Sequence, residues 1–145
     1  LGNFFESGRP TCQAFTSEHP VKTPKLPPYR YPDASVVCGE VKIEKFEGID
    51  LILNPTVVIE VVSPTSRARD EGEKRKAYQA LPSLRDYVLI EQDFARVIVW
   101  SRKGEGRWSK MVFDGLESEF RLPSVDFALP LSELYKRINF PPRLV

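Results

Sequence analysis

Cysteine and histidine are scarce in this chain: two cysteines, Cys12 and Cys38, and one histidine, His19, among 145 residues. Two cysteines are too few for the disulfide framework of a small secreted domain. Both fall in apolar stretches that read as strands, so they are expected to be buried free thiols of a cytoplasmic protein. A zinc site needs more soft ligands than are present. No apolar run approaches the roughly 20 residues that span a bilayer. The first residues, Leu1 to Glu6, lack the basic start and apolar stretch of a signal peptide. A basic excess is also missing: 21 Lys and Arg stand against 20 Asp and Glu, a net charge of +1. Proteins that hold nucleic acid chiefly by charge carry a basic stripe or surplus, so any nucleic-acid reading here rests on a local site.

What is present fits an ordinary globular domain, with 41% hydrophobic and 28% charged residues in a chain long enough to bury a core. Residues 1–9 read as the end of a helix, with Ser7-Gly8 as its C-cap. Thr11–Thr16 reads as a weak strand. Five prolines between Pro20 and Pro32 exclude a helix there and permit an extended edge or loop. Ala34–Cys38 is short, apolar and β-branched, a buried strand. Residues 40–54 are mixed and charged and read as a loop excursion. Thr56–Val62 (TVVIEVV) is rich in β-branched residues without alternation, as expected of a strand covered on both faces. A polar helix is expected over 70–81, opened by a capping box at Asp70–Glu73 and closed by Pro82. Asp86–Glu91, Arg96–Ser101 and Trp108–Phe113 are further strands, and Leu131–Ile138 a short terminal helix with Ser132 as a possible cap. Trp100 reads as core before interface edge.

Glu60 stands inside the most apolar strand. A buried carboxylate is costly unless it is paired or binds a metal; the alternative is an edge strand with Glu60 facing water. Asp33, after Pro32, starts the strand upstream. Alone it is a common turn residue. Together, Asp33 and Glu60 can converge if their strands are adjacent, and two carboxylates suit Mg²⁺, which keeps several waters. Asp70, Lys74 and Tyr78 follow at i, i+4 and i+8 on one helix face. Lys74 can therefore reach such a site, or simply form a surface pair with Asp70, and Tyr78 is a packing residue by default.

The stretches 31–37 (YPDASVV) and 54–65 (NPTVVIEVVSPT), the run from Asp70 through Lys74 to Tyr78, and 84–90 (LRDYVLI) resemble the bacterial family of "putative restriction endonucleases" with the PD-(D/E)xK nuclease fold. The resemblance extends from Gly8 to about Ile138. It implies one α+β domain over 1–145, with a restriction-endonuclease-like mixed β-sheet core, a helix after the central strand and a short C-terminal helix. Asp33 then matches the aspartate of the PD element and Glu60 the acidic residue of the central strand. The lysine expected two residues later is replaced by Val62, and Lys74 on the following helix is its match, with Lys76 as the fallback. The implied activity is cleavage of DNA phosphodiester bonds by an endonuclease that uses Mg²⁺ or Mn²⁺. Asp33 and Glu60 would hold the metal, Lys74 would assist, and the protein would be a homodimer. Relatives carry a longer N-terminal region, including a helix that adds a Glu; this chain is expected to start within it, with Glu6 the only acidic residue near that end. Two other readings stay open: a nuclease-fold binding or assembly module without catalysis, and a structural domain in which Glu60 and Lys74 form a buried ion pair.

Overall fold

The computed structural model describes residues 11–138 and residue 140. The expected helix end at 1–9 and Glu6 lie outside the described residues. The central sheet has six strands in the order β1-β4-β7-β8-β9-β10. These are β1 (Cys12–Thr16), β4 (Ala34–Cys38), β7 (Val57–Val62), β8 (Asp86–Glu91), β9 (Arg96–Gly104) and β10 (Arg107–Asp114). Only β7 and β8 run parallel; every other neighbouring pair is antiparallel. A parallel pair needs a crossover, and helix α1, residues 67–79, supplies it. The strand rich in β-branched residues is thus central, hydrogen-bonded to β4 on one side and β8 on the other. The edge-strand alternative for Glu60 is excluded. The architecture is α+β, a mixed sheet with one main helix and a short C-terminal helix α2 (Leu131–Leu134).

The two faces of the sheet carry different covers. Val58 and Val62 point with Tyr87 and Leu89 toward Tyr78 and Leu81 at the end of α1. Val57, Val88 and Val99 pack instead against Phe120, Leu122 and Leu131. That second cover is a hairpin of β11 (Glu119–Leu122) and β12 (Phe127–Pro130), followed by α2. Trp100 is core, packed with the α1 side. The terminal helix is shorter than expected. It starts after Pro130, and Ser132 lies inside it rather than capping it.

Several local expectations change. Residues 40–54 do not form a loop excursion. They form a hairpin, β5 (Ile43–Phe46) and β6 (Ile49–Ile52), turned by Glu47 and Gly48, both at positive φ. Two positive-φ residues are the requirement of a tight type I′ hairpin turn; glutamate in place of the usual Asn or Asp hides it. This hairpin joins β2 (Val21–Lys22) and β3 (Tyr29–Arg30) in a second sheet, ordered β3-β2-β6-β5, so the proline-rich segment is extended as expected. Helix α1 begins at Arg67, three residues before the expected capping box, and Ser66 at its start makes no side-chain cap bond. Asp70 therefore lies inside the helix, in a π-type turn over Asp70–Lys74; such turns are frequent at functional sites.

The cysteines are the clearest correction. Cys12 and Cys38 face each other in register across β1 and β4 and are joined as a disulfide. The short apolar strands that suggested buried thiols are adjacent partners, which the sequence spacing of 26 does not reveal. The inference from free thiols to a cytoplasmic location loses its premise. Among the described residues no helix is long and apolar enough to cross a membrane. Closing a loop of this length restricts the unfolded chain by about 3.5 kcal/mol. Reduction, or Cys12→Ser with Cys38→Ser, is therefore expected to lower unfolding stability by about that amount, measured by urea denaturation with and without reductant. A midpoint insensitive to reductant would show that the bond does not form in solution.

Candidate metal centre

The site is built where β4 begins. The β4–β7 register pairs Ala34 with Ile59, and one step back along β4 brings Asp33 level with Glu60. The two acidic residues lock each other through backbone amides. The Asp33 N–H donates to Glu60 Oε1 at 2.9 Å, and the Val61 N–H donates to Asp33 Oδ2 at 2.7 Å. Pro32 fixes φ just before this contact and offers no competing donor. Asp33 is exposed, whereas Glu60 is 2% exposed. The structure thus brings the pair together at the rim of the sheet, with one carboxylate at the surface and one beneath it.

The helix closes the site from above. Lys74 Nζ lies 3.3 Å from Glu60 Oε2 and 2.9 Å from Asp70 Oδ1. Both oxygens are buried, and neither has another hydrogen-bond partner among the described residues. Asp70 is as buried as Glu60, and Tyr87 Oη–H donates to its backbone carbonyl at 2.8 Å. The expected surface pair between Asp70 and Lys74 is therefore an interior triad with Glu60. Lys76 is exposed on the helix. Tyr78 is fully buried against Tyr87, and its hydroxyl makes no hydrogen bond among the described residues. It packs as expected, but its polar end faces the charged cluster.

The charge states follow from this geometry. Burial pushes the Glu60 carboxyl above its ordinary 4.5, while the Asp33 amide and the Lys74 ammonium pull it back without cancelling that effect. Asp33 and Asp70 raise it further by repulsion. Burial alone would lower Lys74, yet Asp70 and Glu60 together raise it above its ordinary 10.5. Lys74 is thus a held cation, unsuited to accept a proton near neutral pH.

Among the described residues no group of three or more His, Cys, Asp and Glu side chains is gathered to hold a metal. What exists is a pair of hard carboxylate oxygen donors with one buried oxygen, Glu60 Oε2, poorly satisfied. That donor set fits an ion bound through one or two carboxylates and several waters, as Mg²⁺ is. Sequence reading did not single out a further buried carboxylate, Glu91, which closes β8 in register with Val62 and pairs with Arg67 at the start of α1. It was read only as the last residue of a strand. The alternation Tyr87, Leu89, Glu91 was the available signal, placing it on the helix-covered face.

Removing Lys74 would leave Glu60 and Asp70 buried without their cation. Lys74→Met is expected to cost about 3 kcal/mol in urea unfolding near neutral pH, with part restored by adding Glu60→Gln. Because the Glu60 pKa is raised on folding, protonation favours the fold, and stability falls as pH rises through and above the carboxylate range. The Lys74 contribution is full below 10.5 and is lost only as pH rises past its raised value. The cost of Lys74→Met should therefore be smaller at about pH 5 than at about pH 8. Equal costs at both would mean that Lys74 does not hold Glu60 ionised.

Two uncharacterized proteins of Synechocystis sp. are similar: slr1290, 24% identical over 129 residues, and sll1609, 27% identical over 117 residues. The matches cover 89% and 79% of this chain and 66% of each relative, so a third of each relative has no counterpart here. In fold, the chain resembles the crystal structure of a "putative nuclease belonging to DUF820" from Anabaena variabilis. The TM-score is 0.64 at 20% identity, over 86% of this chain and 68% of that one, and the shared fold is the restriction-endonuclease-like α+β sheet. The family model described as "Uma2: Putative restriction endonuclease" matches residues 1–132, and the chain belongs to that family.

Proposed function

We propose that this protein is a divalent-metal-dependent endonuclease acting on DNA phosphodiester bonds, with Asp33 and Glu60 as metal ligands and Lys74 as the catalytic cation. The observation that carries this reading is the locked pair on adjacent strands: an exposed Asp33 and a buried Glu60 in register, each fixed by the other's backbone, with Lys74 within ion-pair distance. The bound Mg²⁺ or Mn²⁺ would lower the pKa of a coordinated water and offset phosphate charge. Asp33 and Glu60 hold hard oxygens in fixed positions, so little reorganisation is needed on binding. Lys74, held protonated by Asp70, brings positive charge beside the scissile phosphate and can orient an attacking water by donating to it. Membership of the family and the nuclease named as a fold neighbour support DNA as the substrate class.

A second reading has an observation of its own. Lys74 already neutralises Glu60 Oε2, the buried oxygen a metal would use. A nuclease fold that keeps this pair as a purely structural bridge would bind or assemble without cleaving. The two readings separate on cation-dependent stability. Under the first, Mg²⁺ and Mn²⁺ raise the melting temperature of the wild-type chain, and Asp33→Asn and Glu60→Gln each abolish the shift. Nicking of supercoiled plasmid DNA with Mn²⁺ should disappear in the same variants and in Lys74→Met. A cation shift of the same size in all three chains would sink the metal assignment.

A further inference from the structure

A cavity of about 240 Å³ lies between α1 and the loop joining β2 to β3. Its walls are of two kinds. Pro24, Leu26, Ala77 and Ala80 are apolar, while Lys25, Arg30 and Lys76 place three cations around the same space. Leu26 is 86% exposed, a large apolar residue presented to solvent beside a cavity. Glu73 also lines the cavity, and its Oε1 takes the Arg30 guanidinium at 2.8 Å. This is an uneven pair: the Arg30 side chain is 13% exposed and the Glu73 side chain 65%. Arg30 Nε is buried and makes no hydrogen bond among the described residues. A guanidinium presents a fork of donors suited to carboxylate and phosphate alike. Here part of the fork is met by an exposed surface carboxylate and part is unused.

The cavity adjoins the carboxylate site through both of its walls. Arg30 precedes Asp33 by three residues on the same segment, and Glu73 precedes Lys74 in the π-type turn. The Arg30 charge is also felt at the Tyr78 hydroxyl, alongside those of Glu60, Asp70 and Asp33.

We propose that this cavity is a nucleotide subsite: it takes one nucleotide unit of a DNA strand, with the phosphate on Arg30, Lys76 and Lys25 and the sugar and base against Pro24, Leu26, Ala77 and Ala80. Glu73 is the internal competitor that occupies Arg30 when no phosphate is present. The inference rests on the nuclease reading for its biological substrate, but the site is independent of any metal. Phosphate contacts of this type fix register along a strand without reading sequence, which suits a chain with almost no net charge: three local cations replace a basic surface.

The test is calorimetric titration of the metal-free protein, in EDTA, with thymidine 5′-monophosphate, thymidine and inorganic phosphate. The nucleotide should bind more tightly than either fragment, and more weakly as salt is raised. Glu73→Gln, at an exposed position, should tighten nucleotide binding several-fold by freeing Arg30. Lys76→Ala should weaken it, and Ala77→Phe, which fills the cavity, should abolish it. Glu60→Gln should retain nucleotide binding. Failure of the nucleotide to outbind both fragments, or an unchanged affinity in Glu73→Gln, overturns the subsite. Because no cation is present, that failure is separate from failure of the metal assignment, which is read from the Mg²⁺-dependent melting shift. Loss of nucleotide binding in Glu60→Gln would also count against this placement and relocate the nucleotide to the carboxylate pair.

Discussion

Glu60 is a carboxylate in the middle of the central strand, and much of the surrounding structure can be read as the means of keeping it there. An isolated charge in such a place would be neutralised or expelled. One oxygen is held by the Asp33 amide, which requires β4 to begin level with it. The other faces Lys74, which requires α1 to lie across the strand at one particular height. Strand register and helix placement are thus tied to a single side chain. Asp70 completes the arrangement by holding the ammonium from its far side, and Tyr87 anchors the Asp70 backbone to β8. These contacts run from β4 through β7 to α1 and back to β8. Such a network sacrifices some stability relative to an apolar core, since buried pairs seldom repay their desolvation in full. On the proposed reading, the network serves the site at the cost of some stability.

The central features were legible in the sequence for definite reasons. Val57 to Val62 favours a strand, because β-branched side chains lose rotamer freedom in a helix and pack well on a pleated surface, and a glutamate within it demanded a partner. The i, i+4 spacing of Asp70 and Lys74 survives even though the helix there is a π-type turn. What failed was less local. The β5–β6 hairpin turns at Glu47-Gly48, whose left-handed glutamate carries no sequence signal. The helix starts early because Asp70 spends its carboxylate on Lys74 and not on a cap. The disulfide depends on β1 and β4 being neighbours, a fact of topology that two cysteines 26 residues apart do not encode. Glu91 escaped notice because strand ends normally face water, whereas the Arg67 partner that buries it comes from another element.

On the proposed reading, Lys74 takes the place of a lysine at position 62. Glu60 and Val62 point to the same face of β7, as alternate residues do. Position 62 could therefore direct a lysine toward the site only by displacing a fully buried valine packed beneath α1. In this chain that position serves the core and the helix above supplies the cation. The change has an electrostatic consequence. A lysine on the strand would sit beside Glu60 only, whereas Lys74 sits between two carboxylates and is held charged by both. On the proposed reading this matters, because a cation entering at Glu60 would compete with the ammonium, and Asp70 offers Lys74 a second partner 2.9 Å away. The lysine need not become an uncompensated buried charge when its contact with Glu60 weakens.

The π-type turn gives these two roles a common origin. It places Glu73 and Lys74, consecutive residues, against different partners: Glu73 on Arg30 at the cavity and Lys74 on Glu60 at the carboxylate pair. Adjacent residues on a helix are separated by about 100° around its axis, so one turn can serve two sites that lie side by side. The same turn carries Gly72, around which an added Cβ would meet nothing within 4 Å. Space is therefore not the reason for glycine there, and its low helix propensity instead eases departure from α geometry. Replacing it with alanine would favour the regular helix. Restoring an α-helical repeat removes one residue of offset between the segments before and after the turn, so Asp70 and Lys74 could not both keep their present heights over β7. The residue with the least chemistry in the turn is thus bound up with the position of the residues with the most.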